Sequence, residues 1–144
     1  MNNGRIGIVL LVLFGFITLI GSCQQGNKVS IKTAQYAVNG QKLYIQHCEN
    51  CHGSKGEGLG KLYPPLTDSL FFSEYRSALP CIIKNGMNSP IVIHGETYHE
   101  PMPPNPTLSD VEIAYLLTYI TTSFGNKTDI YDEHEVHEAL KDCK

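Results

Sequence analysis

Cys48-Glu49-Asn50-Cys51-His52 is a C-x-x-C-H run, the attachment signature for a covalently bound c-type haem. A chain that carries it must fold around a large planar group. Two thiols about a turn apart reach the two vinyl groups of one porphyrin, and the next residue places an imidazole under the iron. A redox dithiol does not require His52. A zinc site needs a second ligand pair at suitable spacing, which the sequence lacks. The run therefore predicts one covalent haem c, with Cys48 and Cys51 as the attachment thiols and His52 as an iron ligand.

The N-terminus reads as a targeting segment. Arg5 supplies a positive start, Ile6 to Ile20 is almost wholly apolar, and Gly21-Ser22-Cys23 ends the run with small residues and a cysteine. Ile20-Gly21-Ser22-Cys23 looks like a bacterial lipobox, which makes residues 1–22 a lipoprotein signal peptide and Cys23 the lipidated first residue of the mature chain. Acyl chains there would hold the protein on a bilayer. An uncleaved anchor, which is short for a span, and simple cleavage are the alternatives. All three place the folded domain outside the cytoplasm, on the periplasmic face of an inner or outer membrane. Gln24 after Cys23, in place of aspartate, is compatible with transport to an outer membrane.

What remains is enough for one domain with one core. The formal charge is −3, and no basic stripe suggests nucleic acid. With Cys23 assigned to lipid and Cys48 and Cys51 to haem, Cys81 and Cys143 are left over. In an oxidising compartment such a pair forms a disulfide, which would staple the C-terminal tail to the body. Two unpaired thiols are the competing reading, since pairing depends on geometry.

Residues 23–35 are polar, without apolar periodicity, and read as a flexible tether. From about Tyr36 to His47, apolar positions suit a helix running into the haem motif. Gly53 to Gly60 is glycine-rich, but no strand precedes it and no Lys-Ser/Thr pair follows, so it is an irregular loop and not a phosphate cradle. Leu70 to Lys84 reads as helix in two pieces, with Ser77 as a cap for the second, Pro80 in its first turn and Asn85-Gly86 as terminator. Asn88 to Asn105 reads as a long proline-rich loop broken only by Ile91-Val92-Ile93, the kind of segment that wraps around something. Ser109-Asp110-Val111-Glu112 is a capping box opening a helix with Ile113, Leu116, Leu117 and Ile120 on one face. Residues 127–144 form an acidic extension, read as a short solvated helix. The chain is predicted all-α, three to five helices around one haem, with the domain over residues 36–126.

The second axial ligand decides what the iron does. A thioether favours Fe(II), raises the potential and suits an electron carrier, whereas an open position suits ligand binding or peroxide chemistry. Met102 lies in Glu100-Pro101-Met102-Pro103-Pro104, where three prolines stiffen the backbone enough to hold a weak ligand in place. Met87 follows the helix stop and lies outside that clamp. His99 is the rival sixth ligand. His134 and His137, three apart on the tail helix, could bind a metal weakly, although a solvated face is the simpler reading.

At this point the chain resembles the small monohaem class I cytochromes c over about residues 36–126. It shares the helix leading into Cys48, Cys51 and His52, the Met102-Pro103 dipeptide, and the final helix with Leu108-Ser109-Asp110-Val111-Glu112-Ile113 and Tyr119-Ile120. The resemblance implies thioethers at Cys48 and Cys51 and axial ligation by His52 and Met102. It also implies a close helix crossing built from Gly40, Tyr44, Leu116 and Tyr119. In the family a proline carbonyl accepts the axial histidine's N–H, a role that falls to Pro64 in Pro64-Pro65-Leu66 and that would tune the iron. Gly95-Glu96-Thr97-Tyr98 resembles longer-looped bacterial members, and the tail with Cys143 lies outside the family core.

The function expected is electron transfer by a carrier that is not itself an enzyme. It would be anchored to the membrane by lipid and pass single electrons between membrane-bound redox partners such as a dehydrogenase, a quinol-oxidising complex or a terminal oxidase. The rival readings are a haem subunit of a larger oxidoreductase, and a haem peroxidase or sensor with an exchangeable sixth ligand.

Overall fold

The computed structural model describes residues 30–125 and 129–143. The signal segment and Cys23 lie outside the described residues. The first helix, α1 (Ile31–His47), begins where the Ser30 side chain accepts the Thr33 N–H at 3.0 Å. The expected tether over residues 23–35 is thus helical in its last part. The reason is the Ser30 cap, together with burial of Thr33 against the body. The chain breaks at Cys48 and resumes as the single turn α2 (Glu49–His52).

Asp68 caps α3 (Ser69–Glu74), its carboxylate accepting the N–H groups of Leu70 and Phe71. The next helix, α4 (Leu79–Asn85), starts at Ala78 with no side-chain cap, so Ser77 does not have the capping role expected of it. A turn does that job instead, with the Ala78 and Leu79 N–H groups both donating to the Tyr75 carbonyl. Pro80 sits in the first turn, where its missing N–H leaves nothing unsatisfied.

The stretch expected as an open loop contains a hairpin. Strands β1 (Ile91–Ile93) and β2 (Glu96–Tyr98) pair antiparallel, Ile93 opposite Glu96. His94 and Gly95 turn the corner with φ of 51° and 80°, both positive, as a two-residue hairpin of the primed type requires. The alternation that marks the strand is short: Ile91 and Ile93 face inward and Val92 is exposed.

Helix α5 (Asp110–Ser123) carries the predicted capping box, with the Ser109 N–H donating to Glu112 Oε2 at 2.8 Å. It is the centre of the core: Ile113, Ala114, Leu116 and Leu117 are almost wholly buried. Helix α1 crosses it at Gly40. A Cβ there would run into the Tyr115 carbonyl and come within 2.8 Å of the Tyr119 Cβ, so only glycine permits this approach. The Tyr44 and Tyr119 rings pack beside it with centroids 5.4 Å apart.

The acidic tail is not a solvated appendage. Helix α6 (Glu133–Lys141) forms behind an Asp132 cap, and both Tyr131 and Val136 are fully buried in the main core. Arg76 holds it from α3's side. Its guanidinium donates to both Glu135 oxygens at 2.6 and 2.8 Å and to the Ile130 carbonyl at 2.9 Å, while lying 4.0 Å over the Tyr131 ring. Cys81 on α4 is disulfide-bonded to Cys143 just beyond α6. Charge counting missed this docking because the acidic face is real, while two apolar residues decide the packing. Six helices, not three to five, are present among the described residues. The all-α class is as expected.

Candidate haem site

The loops and α4 meet α5 around one apolar cavity that is partly open to solvent. Leu66, Phe71, Ile82, Ile93 and Leu117 are among its walls. Such a lining excludes water and leaves few polar contacts, which fits a flat, largely hydrocarbon group better than a nucleotide or a sugar.

The chemistry-bearing residues meet at this cavity. Cys48 and His52 line it, while Cys51 lies outside the lining; both cysteines are free thiols, Cys48 at the N-cap of the single turn α2 and Cys51 within it. Burial, reinforced by the neighbouring Cys51, pushes the Cys48 thiol up to about 12. Until it is joined to a partner, it is a neutral, apolar part of the wall. His52 is shifted down by burial, only partly opposed by its bond to the Pro64 carbonyl. It is therefore held neutral, the state in which imidazole binds a metal.

That bond runs between His52 Nδ1 and the Pro64 oxygen at 3.0 Å. A carbonyl only accepts, so Nδ1 carries the proton and Nε2 keeps a free lone pair. The intervening loop is tied back on itself, with the Gly58 N–H donating to His52 O at 2.8 Å and the Leu66 N–H to Gly56 O at 2.7 Å. Pro64 therefore stands where the family resemblance placed it.

Met102 also lines the cavity. So does Met87, although in sequence it lies outside the proline clamp. The two are backbone partners, Met87 N donating to Met102 O at 2.9 Å and Met102 N to Met87 O at 2.8 Å. The signal that could have found Met87 is the positive-φ stop at Gly86, which turns the chain back toward the cavity. His94 and His99 are exposed and lie outside the lining. Among the described residues no group of three or more His, Cys, Asp or Glu side chains could hold a metal ion. His137 instead pairs with Asp110 at 2.7 Å.

The family model described as cytochrome c matches residues 37–124, which spans the C-x-x-C-H turn, the methionine loop and α5. The chain belongs to the cytochrome c family. It is 32% identical over 93 residues to cytochrome c-552 of Thermus thermophilus, a match covering 62% of this chain and 70% of that protein. In a second cytochrome c-552 of the same species, the same identity covers 62% of the relative, just under two thirds of its length. The chain is also 28% identical over 92 residues to the cytochrome c subunit of a quinone alcohol dehydrogenase from Gluconacetobacter polyoxogenes, but spans only 20% of that subunit. Membership makes this a c-type cytochrome domain that carries electrons and is not a catalyst. The family implies haem as its cofactor, and the free thiols, the neutral imidazole and the apolar cavity all fit it.

Proposed function

We propose that this cytochrome is a lipid-anchored, extracytoplasmic carrier with one haem c, passing single electrons between membrane respiratory partners. The observation that carries the reading is the convergence of His52, its Nδ1 locked to Pro64, and Met102 on one apolar cavity beside Cys48. When bound, the haem supplies the one-electron redox chemistry.

The residues supply the rest. Cys48 and Cys51 hold the group through thioethers, so it is not lost between partners. His52 presents Nε2 to the iron in one fixed tautomer. Met102 provides a soft sixth ligand that favours Fe(II), and the apolar walls keep water from the metal. Cys23 ties the domain to a bilayer, and the chain from Cys23 to Ser30 sets how far it can reach. A dehydrogenase, a quinol-oxidising complex or a terminal oxidase is the class of partner this placement serves. The likeness to a dehydrogenase cytochrome subunit favours, as a second reading, a haem module within such a complex.

Carbon monoxide tests the carrier reading. The reduced protein resists it at neutral pH, and the oxidised protein shows a thioether-to-iron charge-transfer band. Rapid binding, with no such band, would show an open sixth position and a peroxidase or sensor instead.

A further inference from the structure

Met87 and Met102 form a doubly hydrogen-bonded antiparallel pair, with N–H to O distances of 2.9 and 2.8 Å. Residues directly opposite in such a pair have Cα atoms roughly 5.5 Å apart and send their side chains to the same face. That face is the haem cavity, which both methionines line. Among the lining residues, the only other side chains with a sulfur or imidazole nitrogen to offer are Cys48 and His52, both already committed.

The pair is fixed at both ends. Before it, Gly86 has φ of +73°, and a Cβ on it would meet the Met102 carbonyl and lie 2.8 Å from Pro104 N. After it, the Asn105 N–H donates to the Ile83 carbonyl at 3.1 Å, closing the loop onto α4. The two backbones thus hold a constant separation. A methionine side chain is unbranched, with three rotatable bonds, and can exchange places with a neighbour without moving the backbone.

Building on the His/Met reading above, we propose that Met87 is a second thioether ligand for the haem iron, taking the sixth position when Met102 leaves it. The sixth site is then served by two residues, and loss of one sulfur does not open the iron to outside ligands. This keeps the protein a carrier after loss of Met102 from the iron, where a site with no second sulfur would open to small molecules.

The test uses the haem-loaded protein and three variants, M102L, M87L and the double variant. Leucine keeps the apolar bulk and removes the sulfur. In M102L the charge-transfer band persists, shifted, and reduced protein binds carbon monoxide at least about tenfold more weakly than the double variant, a sixth-ligand preference of about 1.4 kcal/mol. M87L keeps the wild-type band. If M102L lacks the band and matches the double variant in carbon monoxide affinity, the Met87 proposal is overturned while Met102 ligation stands. If instead M87L alone loses the band, Met102 is not the resting ligand, and the proposal and the assignment beneath it both fail. Should leucine disturb the loop, Met102→Ala gives the same readings.

Discussion

His52 Nδ1 lies 3.0 Å from the carbonyl oxygen of Pro64, twelve residues further along the chain. The contact joins the C-x-x-C-H turn to the far end of the glycine-rich loop, and it sets the tautomer of the ring proposed to bind the iron. An imidazole that donates to a carbonyl is a better base and so stabilises the more positive iron state.

Loosening that contact raises the reduction potential. Pro64→Ala keeps the carbonyl but removes the ring that holds its position. Even a bond worth about 0.5–1.5 kcal/mol that acted on the oxidised state alone would raise the potential by at most about 20–60 mV for one electron. Protein-film voltammetry measures this, and an unchanged or lowered potential would contradict the role given to Pro64.

Gly40→Ala places a methyl group against the Tyr115 carbonyl at the α1–α5 crossing. Backbone on both sides cannot give way as a side chain would. The variant is expected to lose about 1–3 kcal/mol or fail to fold. Urea unfolding followed by circular dichroism reads the loss, and an unchanged midpoint would show that the helices can part without cost.

Cys81 and Cys143 close a loop with a sequence separation of 62. Replacing both with serine releases the end of α6 and lowers stability by about 2–4 kcal/mol. The iron-ligand spectrum stays as in the parent, because neither cysteine lines the haem cavity. A changed spectrum would mean that the tail helix supports the site as well as the core.

Glu112 accepts hydrogen bonds from the Ser109 hydroxyl and N–H, and these hold its carboxyl below the ordinary value of 4.5. A depressed carboxylate stabilises the fold above its unfolded pKa, and the effect is lost as pH falls through the folded one. Glu112→Gln keeps the capping geometry without the titration. The parent therefore loses its advantage over this variant on acidification from about pH 6 to about pH 3. Thermal unfolding across that range measures it, and parallel curves would exclude Glu112 as the source.

Local chemistry is written in short stretches of sequence. The C-x-x-C-H run, the Ser109–Glu112 capping box and the prolines around Met102 each act through neighbours in the chain, so spacing alone announced them. Gly40, Tyr44 and Tyr119 were found through family likeness, and the structure shows their cause in a close helix approach. What needed the tertiary fold were the roles set by distant partners that neither cysteine counting nor family likeness pointed to. Met87 belongs to the cavity because Gly86 turns it beside Met102, fifteen residues away. The tail belongs to the core because Arg76 reaches Glu135 and Tyr131, while charge counting along residues 127–144 saw only an acidic face. Periodicity reports which side of a helix is apolar. It does not report which apolar surface that side will meet, because burial is settled only when separate segments pack together.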